Sequence, residues 1–590
     1  MVKSVNFFYA YIGNSGNMTK IFDWIEENWK EFIVFFLIFI LAIVLRIITI
    51  QNYGSLDQDE PYSWRFANQS SALEVIKTVI GVDIHMPLYF ILLHFWIKIF
   101  GDSYVSLHFS SFVFALPLLP LVYFIAKDLF NKKTAFFSML FLSVSTFCIY
   151  YSTFTRFYSL IFPLSIALAY FFVKMLEDFD KKFVVGFIIT HTLLFYTFNL
   201  TCVLSFFYAV FGLVYVLYKR ENIQQFICVY LLTFLLSIPG VFLIISNIFA
   251  LKNSICSHGV EFFYYDIRCI LDILENFFSN ENYQLMTKYV ADYRNILENI
   301  KNKGYFLSVF IPILIGLFGL IKTLFSKNSK LYLFLLPSLF TIVAVILLSK
   351  YNLMYYQTKY LCIVLPVIII SMIYGLSTIK NAKIFFTIAL LLVSLNFTYV
   401  LPKEKNILNY QNAEVDNFDE LMDMLEVTDE DMVMSLFVPD VVKMFYHKGA
   451  TISLAFDEAL LIKDKTALEF YFGTELFKQV NSNNIVSVLL ESTINDIPLM
   501  SYEKNLYNIY LKNMKKGQKF IIFNPYEPST GRIEERWDLD YENYKNYSKF
   551  IFVMTKAYRD TYLIADKYLK LIDIYRNDET GSSIYYFVKE

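Results

Sequence analysis

Residues Phe32 to Ile50 decide the fold class, and they read FIVFFLIFILAIVLRIITI. At a rise of about 1.5 Å per residue, a helix of this length crosses the roughly 30 Å hydrocarbon layer of a bilayer. The only charged residue in the segment is Arg46, which lies near its end and is expected to snorkel toward the interface. The segment therefore predicts a membrane-spanning helix.

The rest of the chain repeats this signal. Ten further stretches of spanning length are Tyr104 to Ala126, Thr134 to Tyr151, Phe157 to Met175, Phe183 to Phe198, Leu200 to Tyr218, Gln225 to Phe249, Tyr305 to Phe325, Leu331 to Leu348, Tyr360 to Leu376 and Ile384 to Leu401. The composition agrees, because 57% of the 590 residues are hydrophobic and only 18% are charged. In soluble globular proteins, about 45–50% of the residues are apolar and about 25% are charged. We exclude an ordinary cytosolic enzyme, a disordered chain and a nucleic-acid binder, and predict a membrane α-helical protein with about eleven spans.

Charge asymmetry assigns the two faces of the membrane. The apolar stretch Met86 to Phe100 is short and carries His94 and Lys98, which is typical of an interfacial segment. If it does not cross, five short loops on the N-terminal side together hold 13 Lys and Arg residues. Those loops are 127–133, 174–182, 219–220, 322–330 and 380–383. The positive-inside rule then places the N-terminus in the cytoplasm, whereas a crossing segment would place it outside.

This topology divides the chain into three parts. Residues 1–31 form a cytoplasmic segment, 32–401 the transmembrane module and 402–590 an extracytoplasmic domain. Within the module, the loops 51–101 and 250–304 face the extracytoplasmic side. The last part alternates predicted strands with predicted helices, which indicates an α/β domain. The strands are Met432 to Val438, Thr451 to Phe456, Lys519 to Phe523, Leu571 to Tyr575 and Ser583 to Val588, and the helices include Ala467 to Val480 and Lys556 to Leu569.

The first extracytoplasmic loop begins with a group of acids. Asp57, Asp59 and Glu60 occupy four residues directly after a span. Like charges this close raise one another's pKa unless a cation or a substrate offsets them. A solvated acidic turn and a catalytic or cation-binding site both fit this spacing. Ser71 and Glu74 then form a capping box for an amphipathic helix that we expect to lie flat on the membrane surface.

Two cations are expected on the same face. Arg156 lies between the predicted third and fourth spans, and Lys359 lies at the outer start of the tenth. Cations at this depth bind phosphate readily, although ordinary interfacial snorkelling is the alternative. The convergence of acids, His85 and two cations at headgroup depth favours a binding site.

The ordered set of motifs resembles a known family. The motifs are Asp59-Glu60-Pro61-Tyr62-Ser63, Asp83-Ile84-His85-Met86-Pro87-Leu88-Tyr89-Phe90, His94-Phe95-Trp96, Phe100-Gly101, Lys127-Asp128-Leu129-Phe130, Tyr150-Tyr151-Ser152 and Arg156-Phe157-Tyr158-Ser159-Leu160. They resemble the GT-C glycosyltransferases of the protein O-mannosyltransferase and aminoarabinose transferase type, mainly over residues 30–220. The resemblance implies a GT-C fold with juxtamembrane helices after the His-Pro motif, a catalytic Asp59 and a sugar donor on a polyprenyl phosphate.

The chain departs from the family pattern at several positions. Phe154 stands where the family often has an acid. Lys359 stands where the family commonly has Arg, and a lysine keeps the positive charge but cannot donate the two parallel hydrogen bonds of a guanidinium. His191 lies within a span instead of at its end, and we interpret it as a core histidine hydrogen-bonded to a neighbouring helix.

These observations predict an integral-membrane inverting glycosyltransferase that moves a sugar from a polyprenyl-phosphate carrier to a hydroxyl acceptor on protein, lipid or a cell-surface glycan. Asp59 would be the general base. The predicted substrate-binding residues are Glu60, Asp83, His85, Tyr89, Arg156, Tyr158 and Lys359. No cofactor is specified, but a divalent cation is compatible with the candidate ligands Asp57, Asp59, Glu60 and His85.

The alternative is a lipid-linked saccharide flippase or transporter. Such proteins usually contain inverted repeats and broken helices, and the sequence shows neither. A scaffolding protein whose working part is the C-terminal domain is a third candidate. Separately, Cys256 and Cys269 are the two cysteines expected outside the spans, and we predict that they form a disulfide.

Overall fold

The computed structural model describes residues 17–52, 56, 60–82, 85–253, 267–279, 309–326, 328–351, 358–400, 431–434, 507, 511–524, 559, 561–577 and 582–590. The helices are α1 (Asn17–Asn52), α2 (Glu60–Ala67), α3 (Ala72–Val82), α4 (Leu88–Phe100), α5 (Tyr104–Ala115), α6 (Leu118–Leu129), α7 (Lys132–Val144), α8 (Thr146–Thr153), α9 (Tyr158–Asp178), α10 (Lys181–Thr197), α11 (Thr201–Lys219), α12 (Ile223–Asn253), α13 (Ile267–Phe278), α14 (Ile311–Leu324), α15 (Ser329–Lys350), α16 (Leu365–Ser377) and α17 (Ala382–Val400). A 3-10 helix covers Thr358–Ile363. Helices α1 and α4–α17 make up one compact unit, except for residues 247–253 at the end of α12, and α2, α3 and a β-sheet belong to a second.

Several helices are long and apolar enough to cross a membrane. In the described part of the chain these six are Trp29–Gln51, Tyr104–Leu129, Tyr158–Asp178, Thr201–Lys219, Ile223–Ile245 and Ser329–Lys350. A seventh is obtained if α7 and α8, which meet at 66°, count as one span. The remaining predicted spans fall on α10, α14, α16 and α17, which do not meet this criterion. The protein is a multi-pass integral membrane protein, and the total of about eleven spans stays a prediction.

The third predicted span is broken at Ser145. Ser145 has an extended backbone, and its hydroxyl accepts a hydrogen bond from the backbone N–H of Cys148, so it caps a new helix. The break leaves the carbonyls of Leu142 and Ser143 without their intrahelical donors. The expectation that the chain contains no broken helix was therefore wrong.

Arg46 of α1 occupies this break. Its guanidinium donates to the carbonyls of Leu142 and Ser143, both at 3.4 Å, and to Ser152 Oγ at 2.8 Å. The residue is only 4% exposed, so the expectation that it snorkels was wrong. The physical reason is that backbone carbonyls exposed by the broken helix, and not water at the interface, satisfy its donors.

Helix α9 forms the centre of the bundle. It packs against α5, α6, α10, α15 and α16, and it is the most buried of the six long spans. Helices α14 and α16 cross very closely beside it, because Gly319 and Gly375 lie face to face. Thr323 Oγ1 also donates to the carbonyl of Ser371 at 2.6 Å.

Ion pairs join the helix ends on the face that we expect to be cytoplasmic. The carboxylate of Glu31 accepts hydrogen bonds from Tyr123 and Lys127 and lies 2.6 Å from Lys132 Nζ. These contacts tie α1 to α6 and α7.

The second unit contains a four-stranded sheet of order β1-β2-β4-β3, formed by β1 (Met432–Met434), β2 (Lys519–Asn524), β3 (Lys570–Asn577) and β4 (Ser582–Val588). Strand β1 pairs in parallel with β2, and the β2–β4 and β3–β4 pairs are antiparallel. Residues 561–568 are helical. Three predicted strands, the first three residues of the predicted strand Met432 to Val438 and part of one predicted helix are thereby confirmed. Thr451 to Phe456 and Ala467 to Val480 lie outside the described residues.

Helix α3 follows its predicted start. The N–H of Glu74 donates to Ser71 Oγ at 3.3 Å, as a capping box requires. The apolar residues divide between two sides, because Val75 and Val79 are fully buried while Leu73 and Ile80 are 59% and 49% exposed.

Candidate active site

The predicted site residues fall into three groups. Asp57, Asp59 and Asp83 lie outside the described residues. Glu60 begins α2 in the second unit and is fully buried. The other predicted residues belong to the first unit, and these are His85, Tyr89, Arg156, Tyr158 and Lys359.

Arg156 lies in a short buried loop between α8 and α9. The loop closes tightly, because the Arg156 N–H donates to the Phe154 carbonyl at 2.7 Å. The Arg156 carbonyl accepts from Ser159 Oγ at 3.1 Å, at the start of α9. The guanidinium carbon lies 5.3 Å from the centre of the Phe157 ring. A guanidinium over an aromatic face keeps its edge N–H groups directed outward, which suits recognition of a phosphate.

A buried histidine of α5 contacts the residues that precede Arg156. His108 of α5 is fully buried, and its Nδ1 lies 3.1 Å from the Thr153 carbonyl and 3.4 Å from Thr155 Oγ1. Because a carbonyl can only accept, Nδ1 carries the proton in the bond to Thr153. Sequence reasoning missed His108, since a histidine within an apolar stretch has no motif around it.

Aromatic rings connect Arg156 to other predicted residues. The His85 ring lies 4.8 Å from the Phe157 ring, which stacks on Phe198 at 5.3 Å. Phe198 in turn lies 6.1 Å from Tyr360, the neighbour of Lys359. The structure therefore brings together the segments that carry His85, Arg156 and Lys359, which are distant in sequence.

Tyr158 and Tyr89 have different surroundings. Tyr158 is 1% exposed and its ring lies 4.6 Å from Phe157 and 5.0 Å from Tyr151. Tyr89 is fully buried between α4 and α5, where its hydroxyl lies 2.9 Å from Ser111 Oγ. Tyr158 thus adjoins the Arg156 loop, and a substrate-binding role for Tyr89 stays a prediction.

Lys359 is half-buried in the 3-10 helix, which contacts α9 and α13. The preceding residue, Thr358, donates its hydroxyl hydrogen to the carboxylate of Asp272 in α13. Burial raises the pKa of the Asp272 carboxyl, and the hydrogen bonds from Thr358 and Asn276 counteract this effect. Sequence reasoning also missed Asp272, because nothing in the spacing of loop 250–304 relates it to Lys359.

Two other expectations concern residues inside and outside the described part. His191 Nε2 lies 2.6 Å from Ser205 Oγ of α11, which confirms a core histidine bonded to a neighbouring helix.

Within the described residues no three His, Cys, Asp or Glu side chains form a group that could hold a metal ion. Asp57 and Asp59 are candidate ligands outside that part, so the metal prediction is untested. Cys256 is likewise not described, whereas Cys269 is buried.

Comparison with known proteins identifies the architecture. Residues 84–245 match the family model described as dolichyl-phosphate-mannose-protein mannosyltransferase. The crystal structure of apo ArnT from Cupriavidus metallidurans is similar over 93% of this chain and 97% of that chain, with 11% identity and a TM-score of 0.51. The chain has the GT-C glycosyltransferase fold. The resemblance predicted from the motifs is confirmed, and the family match and the fold support a glycosyltransferase of the GT-C type.

Two further crystal structures are similar to this chain. ArnT bound to undecaprenyl phosphate covers 93% of this chain and 97% of its own, with 12% identity and a TM-score of 0.41. The apo oligosaccharyltransferase from Archaeoglobus fulgidus covers 96% of this chain and 75% of its own, with 12% identity and a TM-score of 0.49. No curated protein matches the chain by sequence.

Proposed function

We propose that this protein transfers one sugar from a polyprenyl-phosphate carrier to a hydroxyl acceptor on the extracytoplasmic face of the membrane, with inversion at the anomeric carbon. The observation that carries the proposal is that the stacked rings of Phe157 and Phe198 contact the segments of His85, Arg156 and Lys359. The family description names a dolichyl-phosphate sugar, and ArnT has been crystallised with undecaprenyl phosphate, which supports a lipid-phosphate donor.

Arg156 and Lys359 bind the phosphate of the donor in this proposal. Charge-assisted hydrogen bonds from a guanidinium to phosphate oxygens are short and strong, and Lys359 adds a second positive charge. The leaving phosphate needs no general acid, because its negative charge is stabilised by these cations in a partly dehydrated site. Glu60, Asp83, His85 and Tyr158 then orient the sugar or Asp59.

Asp59 acts as the general base. The acceptor oxygen attacks the anomeric carbon while its proton passes to the Asp59 carboxylate. The bond between that carbon and the phosphate oxygen breaks, and the polyprenyl phosphate leaves with the electron pair. Attack from the side opposite the phosphate inverts the configuration. A divalent cation held by Asp57, Asp59, Glu60 or His85 is compatible with this scheme.

The proposal includes a topology. The N-terminal segment 1–31 lies in the cytoplasm, residues 32–401 form the membrane module, and the loops 51–101 and 250–304 and the domain 402–590 lie on the opposite face. The excess of Lys and Arg in the five short loops supports this orientation.

The experiment that tests the function is a transfer assay with purified protein. Radiolabelled polyprenyl-phosphate sugars would be incubated with candidate acceptors, and covalently labelled product would be measured. We expect Asp59→Asn to lower turnover by a factor of about 100 or more, because it keeps the shape and removes the base. Gln58→Ala, at the neighbouring position in the sequence, is the matched control and should retain turnover. Near-normal turnover of a correctly inserted Asp59→Asn protein would exclude the mechanism.

The break between α7 and α8 favours one alternative, since broken helices occur in transporters. A flippase would move labelled lipid across a liposome membrane without forming a covalent product. Translocation without transfer, retained in Asp59→Asn, would favour that alternative.

A further inference from the structure

Helix α13 lies within the predicted extracytoplasmic loop 250–304 and packs against the helical bundle. Its C-terminal end is fixed, because the Phe277 ring lies 6.0 Å from Phe147 of α8 and Phe278 packs on Gly316 of α14. Asn396 of α17 also donates to the Phe278 carbonyl at 3.2 Å. The position of α13 is thus set by contacts with three helices of the bundle.

Asp272 lies on this fixed helix, about one and a half turns before Phe277. Each of its carboxylate oxygens has a partner of its own. Oδ1 accepts from the Asn276 side-chain amide at 3.0 Å, and Oδ2 accepts from the Thr358 hydroxyl. Asn276 is in turn held by the Asp272 carbonyl at 2.8 Å and is 7% exposed. The carboxylate therefore has a defined orientation.

Thr358 is the first residue of the 3-10 helix, and it is 2% exposed. The 3-10 helix also packs against α9, and the ring of its Tyr360 contacts the ring of Phe198. Lys359 lies between these two attachments. A bond that fixes Thr358 therefore restricts the backbone of Lys359 and the direction of its side chain.

We propose that Asp272 is a positioning residue for Lys359, so that helix α13 sets the geometry of the donor-phosphate site through Thr358. This inference rests on the proposed role of Lys359 in binding the phosphate. Burial raises the pKa of the Asp272 carboxyl, which agrees with a group retained for its hydrogen bonds at some cost in desolvation.

The test is a double-mutant cycle read out as the affinity for undecaprenyl phosphate in detergent solution. Asp272→Ala and Thr358→Val each remove one side of the bond, and we expect each to weaken binding about three- to tenfold. The double variant should bind no more weakly than either single variant, because both remove the same interaction. Ile270→Ala, at an exposed position of the same helix, is the matched control and should bind normally.

The Lys359→Gln background separates positioning from general stability. In that background Asp272→Ala should have little further effect on affinity, since the side chain that it positions is already neutral. Equal losses with and without Lys359, or a lower melting temperature with unchanged affinity, would overturn the inference. If Lys359→Gln itself binds normally, the proposed phosphate site fails instead.

Discussion

Arg156 and Lys359 are the residues that decide whether the proposed phosphate site exists. We expect Arg156→Gln and Lys359→Gln each to weaken binding of a polyprenyl phosphate about tenfold or more, because each removes a charge-assisted hydrogen bond. The melting temperature should change little for Lys359→Gln, since the residue is half-buried at the helix start. Lys182→Gln, at an exposed position in the first turn of α10, is the control. Lost stability with intact binding would assign both residues to the fold.

Arg46 gives a second prediction for a single residue. Arg46→Met keeps much of the volume and leaves the carbonyls of Leu142 and Ser143 without their donor. An unsatisfied buried polar group costs about 1–3 kcal/mol, so the unfolding free energy should fall by roughly that amount. Transfer activity should fall as well, because α8 leads directly to the Arg156 loop. Thermal unfolding in detergent measures the first effect, with the exposed Val44→Ala as control. An unchanged melting temperature would contradict this role for Arg46.

The residues that the sequence could predict are those with a motif. His85 and Arg156 stand in recognisable motifs and come together in the structure. His108 and Asp272 act through a backbone carbonyl and a threonine that are 45 and 86 residues away in the chain, respectively. Only the packing of the helices creates such pairs, so no local pattern reveals them. Arg46 was misjudged for the same reason, because its partners exist only where another helix breaks.

The crossing of α14 and α16 allows a prediction for a pair of elements. A Cβ atom at Gly375 would lie well inside contact distance of the Gly319 carbonyl oxygen, which is backbone and cannot rotate away. Gly375→Ala should therefore force the helices apart and destabilise the protein by about 1–3 kcal/mol.

Gly186→Ala is the matched control for this crossing. The three atoms nearest to an added methyl group at Gly186 all belong to the Phe171 side chain, which can rotate. Alanine also has the higher helix propensity, by about 1 kcal/mol, so this variant should be close to neutral. Melting temperatures in detergent compare the two, and equal effects would show that the close crossing is not the cause.

Element positions could be predicted better than element breaks. The first span, the cap of α3 and four strands follow from hydropathy, capping and alternation. The apolar run from Thr134 to Tyr151 reads as one continuous helix, yet it breaks at Ser145. Hydropathy does not distinguish the two cases, because a serine is tolerated within a helix as well as at its cap. The contacts of Arg46 compensate the break and are absent from the local sequence.

The orientation of the whole molecule depends on whether α4 crosses the membrane. Its 13 residues extend about 20 Å, which is less than the hydrocarbon thickness. We expect Asp102→Cys to be labelled by an impermeant thiol reagent from the extracytoplasmic side, together with cysteines introduced at residues 57–60.

Lys182→Cys, at the start of α10 and expected on the other face, should be labelled from the cytoplasmic side and serves as the control. Cytoplasmic labelling of Asp102→Cys would reverse the topology, and the N-terminus would then lie outside.

The Glu31 contacts have a consequence for how the chain is made. Glu31 stands at the start of the first span, but Tyr123 and Lys127 follow 92 and 96 residues later. At about 5–20 residues per second, the ribosome needs roughly 5–20 s to deliver those partners. The first helix must therefore enter the bilayer with its acid unpaired and dock only after α6 has left the insertion machinery. Docking of the first helix is therefore delayed during synthesis. Until Tyr123 and Lys127 have been inserted, the first helix can diffuse laterally in the bilayer.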